Sequence, residues 1–115
     1  MTICLYGIPN CDTVKKARTW LTDHEVAYTF YDFKKLGVDP TALDAWIARL
    51  GWEVLLNRAG TTFRKLPDAD KADLDAAKAR TVMIAHPSAI KRPVLVHGGG
   101  VEVGFKPERY AALFG

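Results

Sequence analysis

Cysteine is the residue type in this chain best suited to covalent chemistry, and Cys11 has the more promising position of the two cysteines. It follows a Gly-Ile-Pro-Asn turn at residues 7–10, where Asn10 is the predicted N-cap of a helix. Apolar residues then recur at helical spacing, at Val14, Ala17 and Leu21. A helix N-terminus offers free N–H groups and the positive end of the helix dipole, which favour a thiolate. We therefore predict that Cys11 is a nucleophile; the alternative is a buried cysteine on the apolar face.

The chain has no partner for Cys11 in a Cys-x-x-Cys pair, because position 14 is Val14. Cys4 is the only other cysteine and lies in a predicted strand, so we expect its Cα to be beyond the ~7 Å that a disulfide bridges. We interpret Cys4 as a small core residue. An oxidised Cys11 must then be resolved by an external thiol, such as glutathione or glutaredoxin.

Arginines form the second group of candidates, because a guanidinium binds a carboxylate or an oxyanion through two parallel hydrogen bonds. Arg92 precedes Pro93 at the start of a predicted strand, where a cis peptide bond would hold Arg92 in a fixed direction. Arg58 and Arg64 lie in a polar segment predicted to be a loop between helices that could close over a site. A solvated surface arginine is the alternative for each of them.

Two other patterns are weaker signals of a ligand site. Gly98-Gly99-Gly100 lacks the Lys-Ser/Thr of a phosphate-binding loop and lies between predicted strands, so a hairpin turn is favoured. His24, His86 and His97 have no ligand-like spacing to either cysteine, and we expect no metal site.

Composition limits the remaining possibilities. A length of 115 residues with 49% apolar and 25% charged residues fits one folded domain, residues 1–115. The net charge of +3 slightly favours an anionic small molecule and does not indicate direct binding to nucleic acid. No apolar run approaches the roughly 18 residues of a membrane helix, and the N-terminus lacks signal-peptide features. We therefore expect a cytoplasmic protein that has no membrane partner.

The order of predicted elements indicates the fold class. Strands are predicted over residues 3–6, 26–33, 94–96 and 101–105. Helices are predicted from Cys11, from Asp39 to a stop at Gly51, over 52–57, 68–79 and 81–85, and around Tyr110, Leu113 and Phe114. The first strand, helix and strand predict a right-handed βαβ unit. With the later ββα part, this order is that of an α/β, thioredoxin-like domain with a mixed four-stranded sheet and an all-helical insertion over about residues 38–90.

Several motifs together resemble those of a known family. They are YGIPNCDTVKKA at residues 6–17, LLN at 55–57, GTTFRKL at 60–66 and HPSAIKRPVLV at 86–96. In this order they resemble the arsenate reductase/Spx family, and most closely its YffB branch of small proteins. The likeness extends over essentially the whole chain.

The resemblance implies a site as well as a thioredoxin-like fold with a helical insert. It implies Cys11 as the catalytic nucleophile after the Pro-Asn turn, and Arg92 before a cis-proline as the contact to a bound oxyanion. The YffB branch has been proposed to act as glutathione-dependent thiol reductases, which implies glutathione as a co-substrate and no bound cofactor. The predicted substrate-binding residues are Arg92, Arg58, Asn10, Pro93 and Lys106.

The chain departs from the glutaredoxin-linked arsenate reductases at two positions. Those enzymes use two more arginines, and the nearest matches here are Arg58, offset by Asn57, and Lys106. A lysine keeps the charge and loses the two-pronged geometry. We therefore expect a glutathione-dependent thiol reductase that acts on a small disulfide or oxyanion. The alternatives are an arsenate reductase and an Spx-like regulator that binds RNA polymerase, although Val14 removes the second cysteine of an Spx redox switch.

Overall fold

The computed structural model of the protein describes residues 3–98 and 100–114 and contains a mixed sheet of four strands. The strands are β1 (Cys4–Gly7), β2 (Thr29–Asp32), β3 (Val94–His97) and β4 (Gly100–Val103), in the spatial order β2-β1-β3-β4. β1 is parallel to β2, whereas β3 is antiparallel to both of its neighbours. This arrangement confirms the predicted α/β, thioredoxin-like fold with a four-stranded mixed sheet.

Helices flank the sheet strands in the sequence and fill the chain between β2 and β3. They are α1 (Asp12–Asp23), α2 (Phe33–Leu36), α3 (Pro40–Leu50), α4 (Trp52–Leu55), α5 (Thr61–Arg64), α6 (Asp68–Lys71), α7 (Ala76–Ala85) and α8 (Pro107–Phe114), with a 3-10 turn at Pro87–Ala89. An isolated β-bridge joins Leu56 to Ile90, so the segment expected to be all helical contains one short extended pairing.

The chain divides into two compact units. The sheet unit contains residues 1–32 and 92–115, and the helical unit contains residues 33–91. The organisation expected from the sequence, a single domain over 1–115 with an insertion at about 38–90, stays a prediction. Among the described residues, no helix has both the length and the apolar character needed to cross a membrane.

The sheet unit has an apolar core between the sheet and the helices α1 and α8. Its buried members are Leu5, Ala17, Leu21, Leu95 and Tyr110. Leu5 and Leu95 are register partners on β1 and β3, so their side chains share one face of the sheet. Burial of each leucine contributes about 1.5–3 kcal/mol. Because Ala17 and Leu21 of α1 pack in the same cluster as Leu5 of β1, the core holds α1 in position beside β1.

The end of α1 explains why β2 is shorter than predicted. Glu25 has a left-handed φ of 57° and donates its N–H to the Thr22 carbonyl at 3.1 Å. The Val26 N–H donates to the Leu21 carbonyl at 2.9 Å, which completes a Schellman motif. Val26, predicted to begin a strand, therefore belongs to the C-terminal cap of α1. β2 begins at Thr29.

The helical unit begins its longest helix as the sequence predicts. The Asp39 side chain accepts a hydrogen bond from the Thr41 N–H at 3.1 Å, and Pro40 occupies the first turn of α3. Gly51 ends the helix with a φ of +89°. Leu43 and Trp46 are the buried residues of α3, in agreement with the predicted apolar face.

Later boundaries in the helical unit differ from the prediction. The helices predicted over 68–79 and 81–85 are replaced by α6 and one longer helix, α7. Asp73 has a left-handed φ of 51°, and the Asp75 side chain caps α7 by accepting from the Lys78 N–H at 2.8 Å. An alanine-rich stretch continues the apolar pattern across this break, so only the cap reveals it.

The loop and the hairpin turn predicted from the sequence have different outcomes. The polar segment around Arg64, predicted to be a loop, contains the helical turn α5. The hairpin turn predicted at residues 98–100 includes Gly99, which lies outside the described residues.

Candidate functional site

Cys11 is itself the N-cap of α1, one residue later than the cap predicted at Asn10. Its backbone is extended, with φ −93° and ψ 127°, and its carbonyl accepts the first intrahelical hydrogen bond from the Lys15 N–H at 2.9 Å. The Cys11 N–H donates to the Ile8 carbonyl at 3.2 Å and closes the preceding turn. That turn leaves Asn10 exposed and outside the cap.

The thiol at this position is accessible. Cys11 is partly exposed, while the stripe of buried residues on α1 consists of Val14, Ala17 and Leu21. Its side chain makes no capping hydrogen bond. The N–H groups of the first helical turn have no intrahelical partner and point toward the end of the helix where Cys11 lies. Asp12 adds an acidic side chain to the first turn. The burial expected of a purely structural cysteine is absent here; the role as nucleophile stays a prediction.

Gly7 allows α1 to begin close to the end of β1. A Cβ atom at this glycine would lie 2.7 Å from Cγ2 of Val14, closer than real Cβ contacts permit. From its place in the sequence, Gly7 is predicted only to be a turn residue. The close approach of Gly7 to Val14 on the buried face of α1 is visible only in three dimensions.

Strand register brings the predicted arginine to the same end of the sheet as Cys11. Tyr6 of β1 pairs with Val94 of β3, so the segment that leaves β1 and the segment that enters β3 lie at one edge. The Arg92–Pro93 peptide bond immediately before β3 is cis. Arg92 is partly exposed, and its guanidinium has no hydrogen bond or ion pair with the other residues of the described chain.

Lys106 lies at this edge of the sheet too. β4 ends opposite the start of β3, and the Gly104 N–H donates to the Pro93 carbonyl at 2.9 Å. The Lys106 carbonyl then accepts from Arg109 and Tyr110 as α8 begins. Its ammonium is exposed and forms no ion pair within residues 3–98 and 100–114. The sheet unit therefore gathers one thiol and two uncommitted cations around the ends of three strands.

Arg58 and Arg64 belong to the helical unit. The Arg58 guanidinium lies 5.5 Å from the centroid of the Trp52 ring. Asn57, just before it, donates its N–H to the Ala89 carbonyl at 2.8 Å. Arg64 is exposed, and its carbonyl accepts from the Lys71 ammonium. The anion-binding role of Arg58 stays a prediction.

Cys4 occupies the far end of β1 from Gly7. It is partly exposed and free, so its interpretation as a core residue is wrong. Alternation along the strand explains this, because Leu5 takes the buried face and Cys4 faces the other side. No group of three or more His, Cys, Asp and Glu that could hold a metal ion occurs among the described residues.

Comparison with known proteins places these features in a family. The model of the ArsC family matches residues 6–113. A solved structure of a YffB protein is 60% identical, with a TM-score of 0.96, and the match covers 99% of this chain and 100% of that one. An arsenate reductase (ArsC) related protein from Brucella melitensis is 56% identical, with a TM-score of 0.77 and coverage of 99% and 95%. The global transcriptional regulator Spx of Streptococcus pyogenes is 26% identical over 96% of this chain and 84% of its own length.

Proposed function

The chain belongs to the ArsC family, and we propose that it is a glutathione-dependent thiol reductase with Cys11 as its single nucleophile. The family match and the arsenate-reductase-related neighbour support the broader assignment to reductase-like enzymes. The observation that carries the specific proposal is the position of Cys11: it caps α1 at the sheet edge where Arg92 and Pro93 lead into β3. A cytoplasmic location, in which glutathione is kept reduced, is part of the proposal.

The proposed reaction uses one cysteine in two exchange steps. The Cys11 thiolate attacks the glutathione sulfur of a mixed disulfide, forms a Cys11–glutathione disulfide and expels the other thiol as a thiolate that takes up a proton. A second glutathione thiolate then attacks the glutathione sulfur of that adduct. Glutathione disulfide is released and the Cys11 thiolate is regenerated. The mixed disulfide is reduced by two electrons to its free thiol, one glutathione thiol is consumed in each turnover, and the other half of the glutathione disulfide is the glutathionyl group of the substrate.

Arg92 is the proposed anchor for the anionic part of the substrate. Its guanidinium is uncommitted, and it adjoins a proline that allows little backbone freedom. A carboxylate of glutathione accepts two parallel hydrogen bonds from such a group. Lys106 contributes a second positive charge at the same sheet edge, and Asn10 and Pro93 line the approach to the sulfur. Arg58 is the remaining proposed ligand, from the helical unit.

Turnover with glutathione tests the proposal. Reduction of a glutathione mixed disulfide is followed by the formation of glutathione disulfide for wild type, Cys11→Ser and Cys4→Ser. We expect Cys11→Ser to lose about a thousandfold or more in rate, because the covalent step disappears. Cys4→Ser is the matched control and should keep wild-type turnover. Equal rates for wild type and Cys11→Ser would refute the proposal.

Arsenate reduction is the second candidate, favoured by the similarity to an arsenate reductase (ArsC) related protein. In that reaction Cys11 forms an adduct with arsenic. Lys106 counts against it, because a lysine lacks the fork of an arginine. Arsenate-dependent oxidation of glutathione in the presence of glutaredoxin separates the two activities.

A regulatory role is the third candidate, favoured by the similarity to Spx regulators. Under this hypothesis the chain binds RNA polymerase and has no turnover. Val14 removes the second cysteine of a redox switch of the Cys-x-x-Cys type. Capture of RNA polymerase by wild type and Cys11→Ser alike, together with absent reductase activity, would support this role over catalysis.

A further inference from the structure

An open groove lies along the exposed side of α1 in the sheet unit. It has a volume of about 400 Å³ and separates α1 from the segment that leads into α8. Its walls and floor are formed by Lys15, Lys16, Thr19, Trp20, Asp23, His24, Phe105 and Pro107. The lining is mostly apolar. An apolar surface of this kind, bordered by charged residues, is typical of docking sites.

Aromatic rings form the floor of the groove. The Trp20 ring is half-buried and meets the buried Tyr110 ring edge to face, with the ring centroids 5.5 Å apart. Phe105 packs on the same tyrosine at 4.8 Å, and His24 stacks on Trp20 at 3.8 Å. These contacts hold the rings in place before any ligand arrives. The floor is therefore preformed and suits an apolar side chain.

The charges of the groove are separated along α1. Lys15 and Lys16 are exposed, and neither ammonium makes a hydrogen bond or an ion pair with any residue that the structure describes. Asp23 lies two turns farther along the helix, which is about 10 Å beyond Lys16 at a rise of about 1.5 Å per residue. One end of the groove therefore attracts a carboxylate, and the other end repels it.

The positive end of the groove is the end nearest the thiol. Cys11 caps α1, and Lys15 is one turn farther along the same side of the helix, about 6 Å along its axis. Trp20 lies about 13 Å from the cap along the same axis. Phe105 of the opposite wall directly precedes Lys106, a proposed glutathione contact. The order along the groove is therefore thiol, positive charge and aromatic floor.

An extended peptide matches this spacing. Its residues advance about 3.3 Å each, so the positions two and four residues from a cysteine lie about 7 Å and about 13 Å from it. Alternate side chains of an extended chain face the same side, so the cysteine and both of these residues face the groove together. Small ligands bind instead in enclosed clefts that bury most of their surface. The open groove therefore favours a peptide segment.

We propose that the groove binds S-glutathionylated proteins through an extended segment, with an acidic residue two positions and an aromatic residue four positions from the modified cysteine. The carboxylate pairs with Lys15 and Lys16, and the aromatic ring packs on Trp20 and Phe105. A bond forms between the sulfurs of Cys11 and glutathione, the disulfide to the peptide breaks, and the released peptide thiolate takes up a proton. This substrate class rests on the function proposed above.

Turnover of synthetic glutathionylated peptides tests the proposal. The first peptide is Gly-Cys-Ala-Glu-Ala-Phe-Gly with glutathione on its cysteine, and the second exchanges the glutamate and the phenylalanine. A second pair has both sequences reversed, which tests the other chain direction. We expect the peptide with glutamate nearer the cysteine to have about tenfold higher kcat/KM in at least one direction. The uncatalysed rate with free glutathione corrects for the reactivity of each disulfide.

Charge reversal locates the binding in the groove. In Lys15→Glu/Lys16→Glu we expect the preference for glutamate to disappear, and a peptide with lysine in its place to become the better substrate. This comparison is made between peptides on one protein, so a change in folding or in thiol reactivity does not mimic it. Arg64→Glu/Lys65→Glu reverses two exposed neighbouring cations of the helical unit and is the matched control. It should keep the wild-type preference.

A binding measurement without turnover separates this inference from the proposed function. Isotopically labelled Cys11→Ser is titrated, by NMR, with the preferred peptide carrying serine in place of the modified cysteine. We expect a saturable shift of the Trp20 indole N–H signal, which is identified by its absence in Trp20→Phe. Alanine in place of the peptide phenylalanine should reduce the shift. Loss of turnover on every mixed disulfide with this shift intact contradicts the proposed function alone.

Three outcomes would overturn the inference. One is equal kcat/KM for all the peptides in a protein that turns over the mixed disulfide of glutathione and mercaptoethanol. Another is a preference that Lys15→Glu/Lys16→Glu leaves unchanged, which would put the peptide elsewhere. The third is a Trp20 signal that shifts with protein concentration and not with peptide, which would mean that a second copy of the chain covers the groove.

Discussion

The two cysteines lie at opposite ends of β1 and show how position gives a thiol its chemistry. Cys4 starts the strand, where its backbone pairs with Thr29 and Val96 inside the sheet. Cys11 follows the other end and caps a helix of 12 residues. Both thiols are free and partly exposed, so exposure does not distinguish them. The difference is the environment: Cys4 lies within a strand ladder, and Cys11 caps a helix whose first N–H groups have no intrahelical partner.

The residues around the two ends of the sheet differ as well. The Cys11 end collects Gly7, the cis Arg92–Pro93 bond and Lys106, whereas the Cys4 end carries the connection from β3 to β4. Chain reversals bring these separated segments together because β3 is antiparallel to β1 and β4 returns beside it. The reactive end is therefore a product of the topology.

The largest expected contrast is in disulfide exchange at the two cysteines. Wild-type protein is incubated with glutathione disulfide, quenched with acid and mapped by peptide mass spectrometry. We expect the adduct to form on Cys11 about a hundredfold faster than on Cys4, because Cys11 caps a helix at a strand end whereas Cys4 lies within a strand ladder. Unfolding the protein in denaturant should bring the two rates together. Equal rates in the folded protein would remove the basis of the comparison.

Arg92 provides the next contrast, between a partly exposed arginine of the sheet unit and an exposed arginine of the helical unit. We expect Arg92→Lys to raise KM for glutathione about tenfold, because a bidentate hydrogen bond to a carboxylate is lost while the charge remains. Arg64→Lys is the matched control in the helical unit, where the Arg64 guanidinium is exposed. Steady-state kinetics over a range of glutathione concentrations measure both. An unchanged KM in Arg92→Lys would contradict the proposed anchor.

The sequence predicts some parts of the site well, for local reasons. The apolar stripe of α1 and the Asp39 cap of α3 depend on neighbours within one turn of helix, and both are confirmed. The cis bond before Pro93 is confirmed for a similar reason, since proline is the residue that tolerates it. The mixed sheet follows from the order of elements and the rule for βαβ units.

Other features depend on contacts between distant residues and stay invisible in the sequence. Tyr110 fits the predicted inner face of α8, yet only the packed structure reveals that its hydroxyl is buried without a hydrogen-bond partner among the described residues. A tyrosine where a phenylalanine would fill the same apolar space is the one signal that could have indicated it. The break between α6 and α7 was missed because propensity alone does not stop an alanine-rich stretch.

Glycine substitutions compare two residues at the Cys11 end. We expect Gly7→Ala to lower the free energy of unfolding by about 1–3 kcal/mol, because the new Cβ meets Val14 and the helix must shift. Gly104→Ala meets no atom within 4 Å, and only its φ of +84° opposes the change, at a cost of about 1 kcal/mol. Urea denaturation measures both. A smaller effect for Gly7→Ala than for Gly104→Ala would contradict the close approach of β1 and α1.

The smallest expected effect is a change in stability at alkaline pH that comes from the buried Tyr110 hydroxyl and not from the Cys11 end of the sheet. Burial, and then the negative charge of Glu102, raise the pKa of Tyr110 above its ordinary value of 10.0. The folded state therefore keeps a proton that the unfolded chain loses above pH 10, so this contribution is complete below pH 10 and declines as pH rises further. We expect the free energy of unfolding of Tyr110→Phe to fall less steeply than that of wild type above pH 10. Glu102→Gln should decline with the same slope as wild type and level off at a lower pH, because it lowers the folded-state pKa of Tyr110 but leaves the burial in place. Urea denaturation at a series of alkaline pH values measures the slopes, and parallel curves for wild type and Tyr110→Phe would mean that the hydroxyl titrates alike in both states.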